Sequence, residues 1–284
     1  MNPNTLEDII EKKIKSKFTE HNLLEEKLKK DPSSLTFTEV YPFLISDHEA
    51  IDLLDEDEVT LDYKIGKLGE IYSDFHGLID EFKRKYHDHN TKNDNWHFFG
   101  DVADKEGKYK FKINRLKLKG INKTFEEPTI GFKYYLKVDL DTFLKKPEDV
   151  MNFYKELIEE AYTVKEAYRF KLARDFVDFI TRRDGFILYL DKTKVDEFER
   201  RVEHKLKKYQ LGKDEVRGEL GFDITLPTGV MYSYTQLKAM KLIGASKKAR
   251  MTPYEMYDCL NGKIPIDARK LYQLYKSRVK PFED

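Results

Sequence analysis

The sequence predicts an α+β fold, with an N-terminal helical region followed by a mainly antiparallel sheet with packed helices. Three observations carry this expectation. Apolar residues recur at helical spacing from Thr5 to Tyr86, the period changes to alternation after Asn95, and amphipathic helices separate the alternating segments. With 284 residues, 40% of them hydrophobic, the chain is long enough for one large domain or two small ones. A polar loop from His87 to Asn95 sets a boundary, which divides residues 1–90, the N-terminal helical region, from residues 91–284, an α+β domain.

The first element, Thr5 to Asp31, carries Leu6, Ile9, Ile10, Ile14, Phe18, Leu23, Leu24 and Leu28, and Pro32-Ser33-Ser34 ends it. A second helical region runs from about Thr38 to Leu54. A third, Leu61 to Tyr86, repeats the pattern through Ile65, Leu68, Ile71, Phe75, Ile79 and Phe82. Trp96 to Val102 is then apolar-rich, and Lys108 to Leu118 alternates Tyr109, Phe111 and Ile113 with Lys110, Lys112 and Asn114. These read as strands with one wet face, joined by the turn Asp104-Lys105-Glu106-Gly107. Gly131 to Asp139 is a third strand, with Lys133, Tyr135 and Lys137 opposite Phe132, Tyr134, Leu136 and Val138. Pro147 opens a helix reaching about Thr163, since proline suits a first helical turn. Tyr168 to Ala173 and Phe186 to Leu190 are two more strands, Lys194 to Tyr209 is a charged amphipathic helix, and the region from Leu237 onward is mixed and mostly helical.

Composition excludes several function classes. The 52 basic and 52 acidic residues cancel, so no long-range field draws the chain to nucleic acid. No apolar run approaches the roughly 20 residues that span a bilayer, and Met1 to Glu11 has no signal-peptide core. The 19 Phe and 18 Tyr argue against disorder. The single cysteine, Cys259, excludes an internal disulfide and a multi-cysteine zinc site. A soluble cytoplasmic protein without membrane or nucleic-acid partners is the expectation.

Arginine usage gives the first lead to chemistry. Only 12 of the 52 basic residues are arginine, yet Arg169, Arg174, Arg182 and Arg183 fall within 15 positions. Arginine is favoured where a planar fork grips phosphate or carboxylate. Alternation places Arg169 and Lys171 on one strand face, with Tyr168, Phe170 and Leu172 on the other. A hairpin into Gly185-Phe186-Ile187-Leu188-Tyr189-Leu190 would return Arg182 or Arg183 near Lys171, and Lys133 and Tyr135 offer a third wall. Lysine, arginines and a phenol on one sheet face suit an anionic substrate whose Cα–H is abstracted; a simply wet polar face is the alternative. His87 and His89, with Asp88 and Asp94, match no tetrahedral zinc spacing, and His97 reads as a packed or edge histidine. No metal site is expected.

The same segments carry a resemblance. Ala167-Tyr168-Arg169-Phe170-Lys171-Leu172, followed by Arg182-Arg183-Asp184-Gly185-Phe186-Ile187-Leu188-Tyr189, resembles the Pro-Phe-Arg-Leu-Lys-Val and Arg-x-Asp-x-x-Val-Leu-Tyr motifs of the HopA-type effector family. Lys133-Tyr134-Tyr135-Leu136-Lys137 stands at the family's Arg-Phe-Tyr-Phe-Asn strand. Phe222-Asp223-Ile224-Thr225-Leu226-Pro227-Thr228-Gly229-Val230 resembles its Phe-Thr-x-x-Leu-x-x-Gly-Val stretch, and Ile243-Gly244-Ala245-Ser246-Lys247 answers its Phe-Gly-x-x-Arg. The collinear match covers roughly residues 96–250. It implies that residues 91–284 form a HopA-like lyase-type domain.

Members of that family found with lanthipeptide and thioamitide biosynthesis genes act as phosphothreonine/phosphoserine lyases, and others are injected into plant cells as effectors. The layout is also similar to the type III-secreted phosphothreonine lyases. What the resemblance implies is Lys171 as base, Arg182 or Arg183 as phosphate ligand, and Tyr189 as a supporting hydroxyl. Lys133 stands at the strand lysine, and Tyr135 where the secreted lyases place a histidine acid. Lys247 occupies an arginine position, with Arg250 as a substitute; Arg169 adds a neighbouring cation. The implied partners are a phosphorylated precursor peptide and a separate peptide kinase, with no cofactor. A non-catalytic HopA-like effector or interaction module, acting inside a host cell if secreted, is the alternative.

Overall fold

The computed structural model describes residues 5–31, 35, 37–52, 58–88, 95–100, 116–117, 129–225, 231–242 and 267–278. The architecture is α+β, with a helix-rich N-terminal region and an antiparallel sheet carrying helices. Among the described residues no helix is long and apolar enough to cross a membrane. The chain forms two compact units, one from Met1–Asn22, Ser46–Lys112 and Tyr134–Glu219, the other from Leu23–Ile45, Ile113–Lys133 and Leu220–Asp284. Both units draw on the N-terminal helices and on the sheet.

Helix α1 spans Leu6–Lys30, with Glu7 and Asp8 in its first turn and lysines in its last, as the helix dipole favours. The expected second helix is two, α2 (Phe37–Ile45) and α3 (His48–Asp52). Tertiary pairing breaks it: Ser46 bridges Arg182, and the Asp47 N–H donates to the Thr181 carbonyl at 2.8 Å. Helix α4 (Glu58–Lys85) follows, turning its Phe75 and Phe82 inward.

The strands are β1 (His87–Asp88), β2 (Trp96–Gly100), β3 (Leu116–Lys117), β4 (Thr129–Val138), β5 (Ala167–Ala173), β6 (Phe186–Leu190), β7 (Val216–Thr225) and β8 (Met231–Ser233). Residues 101–115, which hold most of the expected second strand and its turn, lie outside the described residues. The hydrogen-bonded order is β1-β2-β5-β6-β4-β7-β8, with β3 on β4. Every pair whose register is described runs antiparallel. Between strands lie α5 (Leu140–Lys145), α6 (Pro147–Thr163), α7 (Phe176–Thr181) and α8 (Val195–Lys208); α9 (Tyr234–Leu242) and α10 (Ala268–Arg278) belong to the second unit. Asp139 caps α5 through the Thr142 N–H at 2.7 Å, and Asp175 caps α7 through the Val177 N–H at 2.9 Å.

In the first unit, α4 and α6 cover one side of the sheet with rings: Phe82 and Tyr162 lie 5.2 and 5.7 Å from Phe170, and Tyr154 lies 5.0 Å from Phe186. Helix α8 is tied to α6 by Lys205, which is shared between Glu156 and Glu160, and by Arg201, whose Nη1 donates to Glu160 at 2.8 Å while its Nε and Nη2 fork onto Glu166, just before β5, at 2.7 and 2.9 Å. Its Phe198 packs on Tyr134 at 5.3 Å. One outcome concerns β4, for whose polar residues a wet face was the alternative reading. It is a central strand buried on both sides from Ile130 to Val138. Lys133 and Lys137 tolerate burial because each meets a carboxylate, Asp223 at 2.7 Å and Asp47 at 3.6 Å.

Tyr134 also explains Gly218 on the neighbouring β7. A Cβ there would lie 2.4 Å from the Tyr134 hydroxyl and 2.7 Å from its ring carbon Cε1, so the ring rests on bare backbone. Gly218→Ala forces the buried ring to move and is expected to cost about 1–3 kcal/mol, the range for overpacking. Urea unfolding of both proteins checks it: equal midpoints would show that the ring does not depend on Gly218.

Candidate functional site

Strand register assembles the site. In β5 the Cα partners of Arg169 and Lys171 are Gly100 and Phe98 on β2, and Tyr189 and Ile187 on β6. Directly paired residues share a sheet face, so Trp96, Phe98, Arg169, Lys171, Ile187 and Tyr189 line one side. His97, Phe99, Phe170, Leu172, Phe186 and Leu188 line the other, which is the packed side. Burial agrees except at Ile187, which is buried: Phe99, Phe170, Leu172, Phe186 and Leu188 are buried, whereas Trp96, Phe98, Arg169, Lys171 and Tyr189 are each only part-covered.

The cations on this face stand over rings. The Lys171 Nζ lies 3.6 Å from the centre of Trp96 and 5.9 Å from that of Phe98. The Arg169 guanidinium lies 4.5 Å from Phe98 and 5.1 Å from Tyr189. Arg182 reaches the same Trp96 ring at 4.7 Å. Ring faces attract cations, at about 0.5–2 kcal/mol each, and fix where they point. Three positive groups therefore meet across Trp96 and Phe98 on one half-buried surface. Such a surface can receive an anion.

Arg182 arrives by a route the sequence does not display. The segment joining β5 and β6 was expected to be a plain hairpin, but it contains α7, and Arg182 is the residue that ends that helix. Its fork is aimed by Asp184, with Nε–Oδ1 at 2.9 Å and Nη2–Oδ2 at 3.2 Å. Arg183 points to solvent. Gly185 makes the turn: a Cβ there would lie 2.7 Å from the Phe179 carbonyl.

Tyr168 differs from expectation. A register shift between Ala167 and Arg169 breaks the alternation, and its ring lies 6.4 Å from Tyr189 instead of joining Phe170 in the core. Tyr135 is buried. Since α6 and α8 cover the Phe170 side and Tyr134 faces α8, alternation puts Tyr135 and Lys137 on the Lys171 side of the sheet. Lys133 belongs to the second unit, where it is bound to Asp223. Lys247 and Arg250 lie outside the described residues.

Sequence reasoning missed Trp96, Phe98 and Asp184 as site residues. The alternation Trp96-His97-Phe98-Phe99 was the available signal, but the register of β2 on β5 is not written in either strand. It also missed the buried pair Lys137 and Asp47 and the half-buried Arg217 that joins them. The Arg217 Nη2 donates to both Asp47 carboxylate oxygens at 3.0 and 3.1 Å. Burial lowers Lys137 to about 8, Arg217 adding to the shift and Asp47 opposing it. No protein-family model and no curated protein matches the chain.

On the packed side, Asp88 holds His97 through Nδ1 at 2.7 Å and accepts the Phe98 N–H at 3.2 Å. Of the four residues weighed as a metal cluster, Asp88 is thus engaged with β2, and His89 and Asp94 lie outside the described residues. Burial lowers His97 below the ordinary histidine value, while Asp88 pulls it back up. A lowered histidine stabilises the fold above its unfolded value of about 6.5 and loses that contribution as pH falls through the folded value. Asp88→Asn removes the opposing pull, so NMR titration of the His97 ring is expected at a still lower pH in the variant. An unchanged or raised midpoint would contradict the Asp88–His97 contact.

Proposed function

We propose that this chain is a phosphothreonine/phosphoserine lyase that β-eliminates phosphate from a phosphorylated precursor peptide, leaving a dehydroamino acid, in lanthipeptide-like biosynthesis. The observation that supports it is the meeting of Arg169, Lys171 and Arg182 over Trp96 and Phe98. In this reading the phosphate sits against Arg169 and Arg182, whose planar forks match its oxygens. Lys171, as the neutral amine, takes the Cα proton; the C–H electrons form the Cα=Cβ bond and the Cβ–O bond breaks, releasing phosphate. Two guanidiniums beside the lysine disfavour its charged form and disperse the charge of the leaving group. Tyr189, Tyr135 and Lys133 are the groups weighed for supporting the phosphate or the enolate-like carbonyl. No cofactor enters the reaction, and a separate kinase supplies the phosphate ester.

One observation favours a second reading, a binding module without catalysis. The Trp96 ring 3.6 Å from Lys171 Nζ stabilises the ammonium form, which binds phosphate but takes no proton. Mass spectrometry of a phosphothreonine peptide incubated with the protein separates the two. The lyase reading expects loss of one phosphoric acid, a product that adds thiols, and no reaction by a folded Lys171→Ala variant. An unchanged peptide that still binds supports the module, and phosphate loss with the hydroxyl retained would indicate hydrolysis. Full elimination by Lys171→Ala would remove Lys171 as base.

A further inference from the structure

The end of α7 is held by a buried ionic group. Three consecutive carbonyls close this helix, at Phe179, Ile180 and Thr181. The Lys137 Nζ donates to the first at 3.1 Å and also to the second, and the Asp47 N–H donates to the third at 2.8 Å. Terminal carbonyls lack partners within their own helix and carry its negative end, which a cation satisfies. Lys137 and Asp47 lie 3.6 Å apart, with side chains 7% and 0% exposed, and Arg217 completes the carboxylate's partners. The next residue after these carbonyls is Arg182, whose backbone bridges Ser46, the neighbour of Asp47. One ammonium thus ties together β4, the link between α2 and α3, and the helix end that delivers Arg182.

We infer that Lys137 is a positioning residue whose ammonium, together with Asp47, holds Arg182 over Trp96 and thereby shapes the anion site. Its effect on binding rests on the reading of Arg182 as a phosphate ligand; its hold on Arg182 does not. An apolar side chain in its place leaves the Phe179 and Ile180 carbonyls without this donor and releases the turn. Loss of the lysine's proton weakens the same tie. The groups facing it are Asp47, Arg217 from β7, Asp139 after β4, and Tyr154 of α6, whose hydroxyl burial pushes up. Neither carboxylates nor arginine change charge near pH 8, so Lys137 is the member that does.

Trp96 is the sole tryptophan, so its emission reports the cations on its ring. In a chain carrying Lys171→Met, which removes the other titratable group on the Trp96 ring, we expect a pH-dependent change in emission with a midpoint near 8, absent once Lys137→Met or Arg182→Met is added. In that background the two substitutions should share one emission shift, and both together should show no more than either alone. A transition that survives the addition of Lys137→Met, or emission unchanged by it with helical circular dichroism intact, overturns the inference. Should Lys137→Met fail to fold, the other arm decides, because a transition persisting after Arg182→Met overturns it equally. With Lys171 intact, binding of a phosphothreonine peptide should weaken about tenfold in Lys137→Met and no further when Arg182→Met is added. If the wild type binds no such peptide, the phosphate reading fails while the emission arms still judge the positioning of Arg182.

Discussion

Phe170 fixes what the rest of the first unit can do. Its ring lies between Phe82 of α4, Phe99 of β2 and Tyr162 of α6, at 5.2, 4.7 and 5.7 Å, and is fully buried. Because side chains alternate along a strand, holding Phe170 on the helix side forces Arg169 and Lys171 to the other. A slip of one residue would drive both charges into the aromatic core and expose the ring. Burying a phenylalanine contributes a few kcal/mol, whereas burying two unpaired cations costs far more, so the register has one acceptable setting. The cationic face is the obverse of the core.

How much of this was legible in the sequence follows from the same logic. Alternation within one segment identified the faces of β5 from Arg169 to Leu172, and Pro147 marked the start of α6 to the residue. What alternation does not carry is partnership. That Trp96 lies beside Lys171 depends on pairing across more than seventy positions, and that Arg182 reaches the same ring depends on a helix of 6 residues inside an expected hairpin. Helical periodicity likewise ran through Ser46 and Asp47, where a bridge to Arg182 overrides local preference. The bulge that turns Tyr168 outward has no local signature at all. The burial of Lys133, Lys137 and Lys205 was not legible either, because the carboxylate that meets each comes from another element.

Charge is therefore distributed by depth rather than by sign. Exposed pairs such as Lys29–Glu25 and Lys145–Asp141 are solvated and worth little. Between α6 and α8 the carboxylates are committed to structure: Lys205 and Lys208 hold Glu156 down to about 2, and Arg201 binds Glu160 and Glu166. In the interior, Asp47 serves two cations at once. A chain with zero net charge can still present a local excess of positive charge, provided its carboxylates are occupied elsewhere. At Trp96, Asp184 meets Arg182 and aims it.

The two arginines at this face are delivered by unrelated means, and this constrains any chemistry there. Arg169 is placed by sheet register, which is rigid once Phe170 is seated. Arg182 is placed by the end of a short helix, whose termination depends on hydrogen bonds from Lys137 and Asp47. An anion that needs both therefore couples the sheet to the α7 cap, and its site is only as well formed as the weaker of the two. Lys171 shares the Trp96 ring with Arg182 and the Phe98 ring with Arg169. In the proposed reading, elimination and simple binding differ by whether Lys171 carries a proton. The position of Arg182 then bears on both outcomes, since moving it away from Trp96 would remove a phosphate ligand and change the charge around the lysine.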